Sequence, residues 1–276
     1  MKKGNFAMFV LSVAAINLYA TDITISDQQS NAGAYNGQYW YGSGSYDSRG
    51  IGEDHEVEPG CVGSQVWDLE AFNLSGNNLG MVGGYDFKNG VYDDGKTWTG
   101  GDIFVGVGDA PVFGVANNNS GGGEAVVKNN FGYDYAIDLA FNSNGTGGTY
   151  NVYALNDAST VKVFFGQNSE SNPWQYDAGG TLVTTGAFTY QTGLTDAKTG
   201  FTGDAELGAP SHNAISGIDL SFIGGGQQIW THYTMECGND DLMGHATLPV
   251  PEPGTLMLFG SGLIGLFGLG FFRRKK

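Results

Sequence analysis

Hydrophobic and polar positions divide the chain into three zones. Phe6 to Leu18 is an apolar run behind Lys2 and Lys3, and Ala20 offers a small residue for cleavage. That order of basic, apolar and small residues is a secretory signal peptide, predicted over 1–20 with cleavage after Ala20. At the other end, no residue between Thr255 and Phe272 is charged. Eighteen helical residues rise about 27 Å, enough to cross a bilayer core, so 255–272 is predicted as a single transmembrane helix. Arg273, Arg274, Lys275 and Lys276 follow it and would stop translocation on the cytoplasmic side.

Between the two ends the period changes from helix to strand. Gln65 to Phe72 alternates polar and apolar, as a half-buried strand does. Asp102–Val107, Tyr133–Phe141, Thr149–Leu155, Val161–Phe165, Gly186–Tyr190, Ile218–Ile223 and Ile229–Met235 read as further short strands. Asn142 to Gly148 joins two of them as a Gly-rich hairpin loop. Eight or more short strands with turn signals predict an all-β fold, a β-sandwich or jelly roll, over 21–248. Strand–helix alternation is missing, which argues against a parallel α/β sheet. Residues 21–50 are rich in Gly, Ser, Asn and Tyr and read as a loosely ordered arm, and 117–130 as a surface loop.

Composition agrees, with 47 Gly and scarce Leu, Glu, Lys and Arg. The chain carries 12 basic and 28 acidic residues, net −16. Without its two ends it keeps 6 basic against 27 acidic residues, net −21. Phosphates would be repelled, which excludes nucleic acid as a partner. Anionic lipid surfaces are disfavoured for the same reason. Such acidity keeps an exported protein soluble and offers oxygen ligands to hard cations such as Ca2+.

The C-terminal zone begins Pro249, Val250, Pro251, Glu252, Pro253. This Pro-Glu-Pro, the short apolar helix and the basic end together resemble the PEP-CTERM sorting signal, here 249–276. A plain membrane anchor needs no Pro-Glu-Pro before its helix. The resemblance implies exosortase as a partner, an inner-membrane intermediate, cleavage near the motif, and a final place at the cell surface or outside. Stretches of the body also resemble a set of exosortase-dependent surface proteins. They include Glu56 to Cys61, Trp67 to Glu70, Val82 to Phe87, Tyr150 to Leu155, Glu170 to Trp174 and Thr234 to Asp241. That resemblance implies a surface or biofilm-matrix setting in a Gram-negative bacterium and brings no activity with it.

Candidate chemistry is sparse. His55, His212, His232 and His245 stand in no His-Glu-x-x-His pattern, and the body holds no Gly-x-Ser-x-Gly elbow. Gly106-Val107-Gly108 follows a strand but opens no helix, so it reads as a turn and not a dinucleotide site. Cys61 and Cys237 form an even pair in an exported chain and are expected as a disulfide; two separate thiols remain the alternative. That bridge would bring Glu56 and Glu58 near Asp240 and Asp241, a candidate calcium site whose alternative is turn-capping side chains. Asp86, Asp93, Asp94 and Asp102 form a second acidic stretch without EF-hand spacing. Tyr35, Tyr39, Trp40, Tyr41 and Tyr46 either dock the arm or stack on sugar rings, whereas Trp67, Trp174 and Trp230 read as core or rim.

Three roles stay open. The first is a non-enzymatic matrix component, with exopolysaccharide as a partner. The second is a carbohydrate-binding jelly roll with structural calcium. The third is a polysaccharide hydrolase working with paired carboxylates.

Overall fold

The structure is a computed structural model, and it describes residues 20–25, 65–112, 123–165, 171–200, 211–238 and 240–250. Residues 1–19 of the signal peptide, the membrane helix, residues 26–50 of the arm, Cys61, Glu56 and Glu58 lie outside the described residues. The first five residues of the expected loose arm, Thr21–Ile25, are instead held by backbone hydrogen bonds to strands on both sides. Among the described residues no helix is long and apolar enough to cross a membrane.

Fifteen strands are described. They are β1 (Thr21–Asp22), β2 (Leu69–Ser75), β3 (Asn78–Gly83), β4 (Val91–Asp93), β5 (Lys96–Trp98), β6 (Ile103–Val107), β7 (Gly123–Lys128) and β8 (Tyr135–Phe141). The rest are β9 (Gly147–Ala154), β10 (Thr160–Phe165), β11 (Gln175–Ala178), β12 (Thr181–Leu194), β13 (His212–Asp219), β14 (Gln228–Thr234) and β15 (Asp241–Thr247). The helical elements are a 3-10 turn, Gln65–Trp67, and one short helix, α1 (Asp196–Thr199).

The all-β expectation holds, but the strands are divided differently from a sandwich. Ten of them form one antiparallel sheet in the order β1-β2-β3-β13-β12-β9-β8-β6-β14-β15. The sheet curls until its two ends meet. Thr24 bridges Gly244, the Ile25 N–H donates to Met243 O at 2.9 Å, and the His245 N–H donates to Ile23 O at 2.8 Å. The segment after β1 therefore lies between β2 and β15 and closes a seam.

Curling has a local cause. The register shifts by a bulge at Leu69/Ala71, Leu182/Thr184, Gln191/Leu194 and Ile215/Ile218. A bulge bends a strand and raises its twist. The bulge in β13 also lets Ile215 and Ile218, three residues apart, both reach the core. Inside the curl, Leu69, Phe72, Leu79, Met81, Ile103, Ile137, Val152, Ile229, Tyr233 and Leu242 are buried in one apolar cluster.

A second layer covers part of the outside. Strands β11-β10-β7 form a three-stranded sheet, and Val161 and Val163 pack on Phe104, Phe131, Tyr133 and Ala136. This layer corrects the reading of 117–130 as a loop, because Gly123–Lys128 is paired along its whole length with β10. Alternation was present there, with Ala125 and Val127 facing in, but the small residues gave it little apolar contrast. The expected strand Ile218–Ile223 is also displaced: β13 ends at Asp219 and Ser221 to Ile223 form a turn. Gly186–Tyr150 and Phe188–Gly148 explain why β12 runs far beyond Gly186–Tyr190. Each aromatic ring lies over the glycine paired with it on the next strand, so the glycines are sites of close cover and not breaks.

Candidate functional site

The sorting segment leaves the body at β15. That strand pairs with β14 from Thr234↔Asp241 to Gln228↔Thr247. Leu248 ends the ordered packing. It is 1% exposed, its N–H donates to Gln227 O at 2.9 Å, and its carbonyl accepts from the Gly226 N–H at 2.8 Å. Two residues later Val250 is 68% exposed. The backbone thus passes from a pinned residue to an open one just before Pro251, Glu252 and Pro253, which lie outside the described residues. An open, extended segment is what a processing enzyme must grip.

The other end of the body emerges at the same place. A groove of about 440 Å3 is lined by Thr21, Asp22, Leu74, His245, Thr247 and Pro249 among others. The residue after the expected leader cut and the first residue of the sorting segment therefore share one pole of the curled sheet.

Several titratable groups of the body are buried. Asp240 is buried and its carboxylate accepts from the Leu69 N–H at 2.6 Å and the Asp241 N–H at 2.8 Å. Burial, with the nearby Asp68 carboxylate, raises its pKa well above the ordinary carboxylate range. Asp241 lies 2.8 Å from Nε2 of His232, and both are fully buried. The other ring nitrogen, Nδ1, shares a hydrogen bond of 2.8 Å with the Tyr133 hydroxyl. The Tyr133–His232–Asp241 chain thus ties β14 and β15 to the segment ahead of β8.

Glu70 and His212 form a second buried set. Gln65 Nε2 donates to Glu70 Oε1 at 2.9 Å, His212 Nδ1 lies 2.7 Å from Glu70 Oε2, and His212 Nε2 lies 3.0 Å from Asp196 Oδ1. Burial raises the Glu70 pKa, against the opposing pull of Gln65 and His212. Asp102 is the third. It accepts from the Leu139 N–H and the Tyr176 N–H, each at 3.0 Å, and burial pushes its carboxyl up to about 7. It joins the large sheet to the outer layer. Asp86 differs. Burial raises it, but hydrogen bonds from Asn89, Tyr190 and Lys88 outweigh that and hold it below its ordinary value.

Of the candidate calcium ligands, Asp240 and Asp241 are described, and their oxygens face backbone N–H groups and His232. Among the described residues no group of three or more His, Cys, Asp or Glu is arranged to hold a metal. Asp86 caps its own turn, and Asp94 and Gly95 take positive φ at the tip of the β4–β5 hairpin. Cys237 is half-buried beside the main core, and the expected bridge to Cys61 lies outside the described residues. Trp174 and Trp230 are buried and Trp67 packs against the core, as the sequence indicated.

The buried triads escaped sequence reading. His232 falls on the face of β14 opposite Ile229 and Tyr233, a face that alternation assigns to solvent. A hint was available in Trp230 beside it, since two consecutive large residues suggest cover on both faces.

A family model described as the PEP-CTERM protein-sorting motif matches residues 249–275. The chain carries the PEP-CTERM sorting motif. It is thereby marked for export and for exosortase-dependent sorting to the cell surface. Comparison with curated proteins and with solved structures finds no match. The PEP-CTERM segment begins one residue after Leu248, so the matched region and the folded body abut without a spacer.

Proposed function

We propose that this protein is a non-enzymatic component of an extracellular or exopolysaccharide matrix, delivered there by exosortase. One observation carries the reading. The PEP-CTERM motif starts directly beyond a buried, hydrogen-bonded Leu248, while the perturbed acids are buried with partners of their own, Asp102 and Asp240 on backbone N–H groups and Glu70 on the Gln65 and His212 side chains. A hydrolase needs two acids opening on a groove about 5–10 Å apart. The arrangement of Glu70, Asp102 and Asp240 favours structural staples over such a pair. The leader over 1–20 and the helix over 255–272 would hold the chain in the inner membrane until both ends are cut.

Extracting matrix from the bacterium tests the role. The protein is expected to co-sediment with exopolysaccharide and to leave the pellet when polysaccharide synthesis is deleted. Equal recovery in the soluble fraction of both strains would count against it.

A carbohydrate-binding module is the second reading. Tyr153 and Tyr176 stack at 4.5 Å with rings 15° apart, both half-buried, on the side carrying the outer layer. Such rings present apolar area to a sugar face at low entropy cost.

A further inference from the structure

We propose that the strand from Thr21 to Ile25 exchanges between copies of this protein, so that the seam of one molecule is filled by the N-terminal strand of another. The partner is thus a second copy, and the interaction surface is the slot between β2 and β15.

The slot has the form of a strand-receiving site on both sides. Against β2, Thr21 pairs with Leu74, Asp22 with Asn73, and the Ile23 N–H donates to Phe72 O at 3.0 Å. The Thr24 hydroxyl accepts from the Phe72 N–H at 2.9 Å. Against β15, Thr24 bridges Gly244, and Ile23 and Ile25 exchange backbone bonds with His245 and Met243. Ile23 and Ile25, two residues apart, both turn inward and are 6% and 4% exposed. Backbone bonds on two edges with alternate apolar anchors are the elements of strand addition.

The connection allows the strand to reach elsewhere. The next described residue is Gln65, and about 40 intervening residues span up to roughly 130 Å of chain. A domain of this size has a radius of gyration of about 17 Å, so a neighbouring seam is within reach. An identical strand from a second copy restores every contact that the first loses, so exchange sacrifices nothing in the seam. Donor strand and acceptor slot form a head-to-tail contact, which need not close into a ring and can extend as a chain of copies. The inference rests on the matrix reading in one respect: cleavage after Ala20 frees the strand's leading end.

Asp22 and Asn73 are directly paired, and Asp22 is exposed. The test uses the exported, processed protein carrying D22C alone or N73C alone, the two mixed at high concentration and oxidised. Mass spectrometry then looks for a peptide disulfide-linked between positions 22 and 73, which peptide mapping separates from links to Cys61 or Cys237. The link is expected in the mixture and in the double variant D22C/N73C. A link in the double variant alone would overturn exchange. No link in either would overturn the seam itself. Cell fractionation reads the sorting step separately, so its failure would be distinguishable from a failure of exchange.

Discussion

Tyr150 and Gly186 face each other across β9 and β12, with the tyrosine ring lying where a β-carbon on residue 186 would stand. The ring in turn orders a neighbour, since its hydroxyl accepts from the Asp219 N–H at 3.0 Å. A methyl group at position 186 would therefore push the ring and break that bond. G186A is expected to destabilise the fold by about 1–3 kcal/mol, the usual cost of overpacking. For a body of this size that lowers the melting temperature by roughly 2–12 °C. Calorimetry of G186A beside the parent protein checks it; an unchanged midpoint would mean the ring moves freely.

The Tyr133–His232–Asp241 chain gives a second expectation. His232 and Asp241 are both fully buried, so removing one partner leaves the other without compensation. D241A is expected to cost about 3–5 kcal/mol. Y133F removes one neutral hydrogen bond to the ring and is expected to cost about 1–2 kcal/mol. Denaturant unfolding of the two variants checks the order, and equal losses would contradict it.

Asp102 links stability to pH. Its carboxyl titrates near 7 in the fold against an ordinary value of 3.8, because it is buried. Between those values the native state keeps a proton that the unfolded chain has lost. This group's contribution is therefore full below about pH 4 and is lost as pH rises towards 7, by at most about 4 kcal/mol. D102N carries no titratable proton and is expected to flatten that part of the profile, at a lower overall stability because an amide NH2 would meet a backbone N–H. Unfolding free energies from pH 4 to 8 check it; an unchanged slope in D102N would assign the proton elsewhere.

Calcium is expected to shift stability little through Asp240 and Asp241. Their oxygens already face the Leu69 and Asp241 N–H groups and His232. Melting in excess Ca2+ and in chelator should agree within about a degree. A rise of several degrees in Ca2+ would place a cation on the body, with Glu56 and Glu58 the first residues to substitute.

How much of this was legible in the sequence depends on which forces set each feature. Period-two alternation in Tyr133–Phe141 and Ile229–Met235 gave β8 and β14 nearly at their observed bounds. Pro-Glu-Pro before an apolar run gave the sorting motif, because that signal is read as linear sequence. Strand β7 was missed because Gly123, Ala125 and Val127 carry little apolar contrast, and β4–β5 because three-residue strands fall below any periodic window. The single curled sheet was not legible, since its closure depends on Thr24 meeting Gly244, 220 positions away in the chain. The same holds for the buried acids. Asp102, at the start of an expected strand, and Asp240, in a polar turn, look solvated until a second layer and a seam cover them.

The most direct test of the account is the intact mass and location of the protein in its native bacterium, with and without exosortase. A species lacking both ends, outside the cell or at its surface only when exosortase is present, is the expected result. A chain that keeps residues 249–276 in the inner membrane of both strains would contradict it, and the tail would then be a plain anchor for a periplasmic domain.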